Sequence, residues 1–78
     1  MNITKHALER MVERGFTPEM LAVLMNGKTS VVPTRDEKFL VIGKADGKFW
    51  TLVFTKDLYL LVSVRRSHND EEALWNSK

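Results

Sequence analysis

The chain has 78 residues, 44% of them hydrophobic, with no cysteine and a formal net charge of +2. That length accommodates one domain, residues 1–78, with a small core, and the apolar content excludes a disordered tail. The absence of cysteine excludes disulfides, thiol nucleophiles and Cys-based zinc sites; two histidines far apart in sequence supply no metal ligand set, and nothing in the composition asks for a cofactor.

The opening "MNITKHALER" carries charges throughout and lacks the apolar core of a signal peptide. No apolar run approaches the roughly 20 residues that span a bilayer. The expectation is a soluble, cytoplasmic protein with no membrane partner.

"TKHALERMVERG" predicts an amphipathic helix, capped by Thr4 and ended by Gly15 in the left-handed conformation. "TPEMLAVLMNG" predicts a second, with Thr17 as N-cap, Pro18 at the first helical position and Asn26-Gly27 as the stop. The period then changes. "TSVVP" reads as a short strand, and "KFLVIGK" and "KFWTLVFT" as two longer ones joined by the hairpin turn Asp46-Gly47. "DLYLLVSVR" is the last strand, entered through a turn at Lys56-Asp57. Its alternation puts Tyr59, Leu61, Ser63 and Arg65 on one face and Leu60, Val62, Val64 and Arg66 on the other. "NDEEALW" closes as a short helix capped by Asn69 or Ser67, its first-turn carboxylates favoured by the helix dipole. The expected fold is α+β: two N-terminal helices packed on a four-stranded, mainly antiparallel sheet, with a short C-terminal helix.

Three groups of residues could carry chemistry. On a wheel of the first helix, His6, Arg10 and Arg14 fall within about 80° of one another, one basic line bordering an apolar arc of Ile3, Ala7, Leu8, Met11 and Val12. Such a line serves either as a site leaning toward the sheet or as an ordinary rim of snorkelling side chains. At the end of the last strand, Arg65, Arg66, Ser67 and His68 combine bidentate cations, a hydroxyl, a proton-moving imidazole and a helix N-terminus, which suits phosphate. The same residues also make a plain solvated strand end, with Arg65 or Arg66 paired to Glu71 or Glu72. Lys44 and Lys48 flank the hairpin turn as a phosphate clamp or as ordinary turn lysines. Trp50 and Phe39 are expected in the core, with Trp75 packing the last helix onto the sheet. Phosphate-cradling glycine loops, nucleophile elbows and HExxH are absent from the sequence.

The stretch "FLVIGKADGKFWTLVFTKDLYLLVSVRRSHNDEEALW" resembles the BrnT family of bacterial type II toxins in its "FL-IG-ADG" hairpin, apolar strand and S-x-R-R-x-x-x-x-E tail. Ser63, Arg65, Arg66 and Glu71 fit that tail, and Trp75 stands where the family has tyrosine. "HALERMVERGFTPEM" resembles the DUF4258 family, whose opening pattern is H-A-x-x-R-M-x-x-R-G. The resemblance implies a RelE-like fold, metal-free ribonuclease activity on RNA, and a cognate antitoxin or immunity-type protein. BrnT proteins carry Lys-His-Gly at the end of the first helix, where this chain has Glu13-Arg14-Gly15. The histidine's role is therefore vacant here, or moved to His6 or His68.

Cleavage of this kind uses the 2′-hydroxyl of RNA as nucleophile and leaves a 2′,3′-cyclic phosphate and a 5′-hydroxyl. It needs a base, an acid and cations on the phosphorane. The expected assignment is His6 as base or acid, Arg10 and Arg65 as phosphorane clamps, and Glu71 as orienter or second acid–base group. Arg14, Arg66, Ser67, His68, Lys44 and Lys48 would bind RNA phosphates. This requires the first helix to turn His6 and Arg10 toward the end of the last strand. The alternative is a non-catalytic module that binds a protein partner or RNA.

Overall fold

A computed structural model describes residues 2–77. The elements are β1 (Asn2–Ile3), α1 (Lys5–Arg14), α2 (Pro18–Asn26), β2 (Ser30–Pro33), β3 (Lys38–Ala45), β4 (Lys48–Thr55), β5 (Leu60–Arg66) and α3 (Asn69–Asn76). They form an α+β domain on a five-stranded mixed sheet of order β1-β5-β4-β3-β2. The sheet therefore has one strand more than expected. Ile3, assigned by its hydropathy to the first helix, lies in β1, which pairs in parallel with Leu60 and Leu61 of β5. All other pairings are antiparallel.

The helix signals act as the sequence predicts. Thr4 caps α1 by accepting from the Ala7 N–H, and Gly15 ends it at φ 67°. Thr17 caps α2 through the Met20 N–H, with Pro18 in the first turn. The β3–β4 hairpin turns through Asp46 and Gly47, both at positive φ, as a two-residue turn between twisted strands requires.

α1 lies over β5 and α2 over β3. They cover the sheet face that carries Val41, Trp50, Leu52, Phe54, Leu61 and Val64, and with Ala7, Met11, Phe16, Leu21 and Leu24 these make the main core. Gly43 lets α2 approach closely, since a Cβ there would stand 2.8 Å from Leu24 Cγ. α3 crosses the other face. There Glu71 meets Thr51, and Trp75 packs edge-on against Phe49, ring centroids 5.1 Å apart.

Two sequence expectations fail on local geometry. β5 bulges opposite Val53 and Phe54: Ser63 pairs with Val53 but Leu61 with Phe54, so Val62 is an extra residue. Leu61 thereby joins Val64 on the helix-covered face instead of sharing a face with Ser63 and Arg65. In α1 only Ala7 and Met11 of the apolar arc are buried in the core, while Leu8 is 50% and Val12 83% exposed.

Candidate nucleic-acid interface

The end of β5 is organised around Glu71, a carboxylate buried to 5% exposure. Its neighbour in the sheet, Arg65, donates from Nη1 to Oε1 at 2.7 Å and from Nη2 to Oε2 at 2.6 Å. Oε1 also accepts from Thr51 Oγ1 at 3.0 Å and from the His68 backbone N–H at 2.8 Å. Thr51 Oγ1 in turn shares a 2.8 Å hydrogen bond with Ser67 Oγ. Burial alone would push the Glu71 carboxyl up. The hydrogen bonds from Arg65, His68 and Thr51, with the arginine's charge, outweigh it and bring the carboxyl down to about 2. The pair likewise raises Arg65 above its ordinary value, chiefly through the hydrogen bond to Glu71.

This cluster closes the N-terminus of α3. The N-cap is His68, not Asn69 or Ser67, because Glu71 three residues on reaches back to the His68 N–H in one half of a capping box. Asp70, Glu71 and Glu72 occupy the first turn. A helix start so filled with carboxylate repels phosphate, and an arginine whose two terminal nitrogens are held by Glu71 cannot offer them as a fork elsewhere without breaking a buried pair.

Arg66 is the freer cation. It lies on the opposite face from Arg65, 5.4 Å above the Trp50 ring, with Nε donating to the Phe49 carbonyl at 3.2 Å. Trp50 pairs across the sheet with Arg66 and packs on Phe16, just beyond α1, at 4.9 Å between centroids. The C-terminal turn of α1, with Arg14, therefore reaches the same end of the sheet as Arg66. The β3–β4 hairpin brings Lys48 to that end on the Arg66 face. It places Lys44 on the α3 face, 5.2 Å from the Phe49 ring.

Lys28 completes the group. Its ammonium lies 4.2 Å above the Trp75 ring, and its carbonyl accepts from the Trp75 indole N–H at 2.8 Å. Arg14, Lys44, Lys48 and Arg66 have no carboxylate partner among the described residues. At the far end of the sheet Lys38 pairs with Asp36 and Lys56 lies 3.9 Å from Glu37, while Arg35 has no carboxylate partner among the described residues.

The structure thus brings Arg65, Ser67, Glu71 and the His68 backbone into one network. It gathers Arg14, Arg66, Lys44 and Lys48 at the same end, and it leaves His6 elsewhere. His6 is exposed in the first turn of α1, next to Thr4, whose hydroxyl donates to the Val62 carbonyl at 3.3 Å. Four strand residues, about 13 Å, then separate it from the level of Arg66. The sheet itself lies between α1 and the Arg65–Glu71 pair. Arg10, on the same helix flank as His6, is ion-paired to Glu13. The residues the sequence did not mark are Thr51 and Lys28. A threonine in an apolar strand reads only as a β-former, and Lys28 lies 47 positions from the tryptophan it meets.

Among the described residues no three of His, Asp and Glu converge on a point where a metal ion could sit. No helix is long and apolar enough to cross a membrane. No protein-family model, no curated protein and no solved structure matches the chain.

Proposed function

We propose that the protein is a small RNA-directed toxin of the BrnT-like kind, built on a RelE-like fold. It binds the RNA backbone at the hairpin end of its sheet and cleaves by 2′-hydroxyl attack, and a cognate antitoxin holds it in check. The observation that carries this reading is the collection of Arg14, Lys44, Lys48 and Arg66 at the hairpin end of the sheet, none with a carboxylate partner among the described residues. Cations left unpaired together repel one another and are stabilised by a polyanion that releases its counterions to them. The S-x-R-R-x-x-x-x-E tail supports the same reading.

Within it, Arg66, Lys48 and Arg14 hold phosphates. Arg65 and Glu71 fix the end of β5 against α3. Arg10 exchanges its exposed bond to Glu13 for a phosphate at little cost, since such surface pairs contribute at most about 1 kcal/mol. The proton-moving group is His68, two residues beyond Arg66 and exposed, in preference to the distant His6. One observation favours a second reading, RNA binding without cleavage. Glu71, whose Oε1 lies 3.9 Å from His68 Nδ1, is held ionised down to about 2 and so does not exchange protons with it near neutral pH.

The deciding experiment is induced expression with growth measured, together with incubation of the purified protein with RNA. The wild type is expected to arrest growth and leave 2′,3′-cyclic phosphate ends. His68→Ala should bind RNA but not cut it, and Arg66→Ala should bind weakly. Binding without cutting by the wild type establishes the second reading, and the absence of binding rejects both.

A further inference from the structure

The cations at the hairpin end fall on two sides of the sheet, and the two sides differ in kind. Arg66, Lys48 and Arg14 lie on the α1 side, where Trp50, the ring beneath Arg66, is 3% exposed and locked in the core by its indole N–H to the Ala45 carbonyl, and its neighbour Phe16 is 2% exposed. That side offers charge only. On the α3 side, Phe49 and Trp75 are both partly exposed, packed edge to face at an interplanar angle of 74°. Lys28 and Lys44 sit over the Trp75 ring at 4.2 and 5.8 Å.

We infer that Trp75, with Phe49 and Lys44, forms a base-stacking subsite, so that the RNA accepted at this end is single-stranded. The inference rests on the RNA-binding reading above and sharpens it. A duplex presents phosphates and ribose to a protein surface but keeps the faces of its bases stacked on one another, whereas a single strand can lay a base on an aromatic ring. The indole is preset for this. Its N–H is tied to the Lys28 carbonyl, its helix is anchored by Glu71, and its edge rests against Phe49, so little side-chain freedom is lost when a base arrives. The ammonium groups of Lys28 and Lys44 lie within cation–π distance of the ring, on the side from which a base would come. A base displacing Lys44 leaves that ammonium beside the backbone phosphate of the same nucleotide. The protein measures only 32 × 28 × 20 Å, so the strand continues around the hairpin to Lys48 and Arg66 within a few nucleotides.

Trp50 and Trp75 are the two tryptophans, and only Trp75 is accessible, so intrinsic fluorescence reports on this subsite. A single-stranded RNA oligonucleotide of about eight nucleotides, within the site sizes single-strand binders use, is titrated against a duplex of the same sequence. The single strand is expected to quench tryptophan emission saturably and the duplex to leave it unchanged. Trp75→Leu should lower single-strand affinity at least about fivefold, the loss typical of one stacked base, with duplex affinity unaltered. Trp75→Phe should keep most of it. The unchanged emission of buried Trp50 verifies that each variant is folded. Equal binding of both forms without quenching, or full single-strand affinity in Trp75→Leu, overturns the subsite and leaves the RNA-binding reading standing. Failure of the wild type to bind either form overturns both.

Discussion

Glu71 sits among cations and yet is withdrawn from acid–base chemistry by the number of donors it satisfies. Both carboxylate oxygens are held, by Arg65, Thr51 and the His68 N–H, at distances of 2.6–3.0 Å. Glu71→Gln keeps the shape but cannot accept the arginine fork as a charge. It is expected to lower stability by about 1–3 kcal/mol at neutral pH, the cost of an under-satisfied buried charged partner, measured by urea unfolding. The pH dependence has a defined sign. The folded carboxyl titrates near 2 against an ordinary 4.5, so its contribution is complete above about pH 4.5 and is lost as the pH falls toward 2. The stability gap between wild type and Glu71→Gln should therefore close over that acid interval and stay flat above it. The sequence offered a pairing of Arg65 or Arg66 with Glu71 or Glu72, and the structure selects Arg65 with Glu71. It could not show that Thr51, 20 positions earlier, supplies the third donor and turns an ion pair into a buried network.

Among the elements, those with a local signal were legible and those that depend on a distant partner were not. Caps at Thr4 and Thr17, the Gly15 stop, Pro18 and the Asp46-Gly47 turn each act through residues within four positions, so composition suffices to find them. β1 has two residues and no period; it is a strand only because β5 returns beside it. The bulge at Val62 adds one residue without altering the run of apolar side chains, so strict alternation assigned Leu61 to the wrong face. α1 showed a broad apolar arc, but hydropathy cannot tell which part of an arc a neighbour covers. Thr4 joins the two kinds of information: its hydroxyl caps α1 at 3.0 Å from the Ala7 N–H and also donates to the Val62 carbonyl in β5. Thr4→Ser keeps both bonds and should be close to neutral. Thr4→Ala removes both and should cost about 1–2 kcal/mol, at the upper end for an N-cap, read as a lowered urea midpoint with an unchanged m-value.

At the scale of the whole molecule, a modest net charge of +2 conceals a strong asymmetry. The far end of the sheet sets Lys38 and Lys56 against Asp36 and Glu37 and leaves Arg35 without a carboxylate partner, whereas the hairpin end gathers Arg14, Lys44, Lys48 and Arg66, all unpaired among the described residues. Binding to RNA should accordingly weaken steeply with salt, and each of these cations should contribute separately. Arg66→Ala or Lys48→Ala is expected to reduce the slope of log K against log salt by about 0.7, the value for one single-strand phosphate contact. Arg35→Ala, at the opposite end, should leave the slope unchanged. A salt titration of all three variants separates an oriented interface from diffuse attraction. Sequence composition sums these charges and so loses the pattern; only the sheet, by folding both turns to opposite ends, separates them.

The parallel pairing of β1 with β5 also bears on how the chain is made. Thr4 and Val62 are bonded across 58 positions, and the Asn2 N–H meets the Tyr59 carbonyl. A nascent chain can close the β3–β4 hairpin while still being synthesised, because that contact is local. The first strand must wait, its edge of the sheet open, until residues 59–62 have left the ribosome. The same late strand carries Arg65 and Arg66 at its end. Completion of the fold and completion of the basic surface are thus one event, set by the arrival of β5.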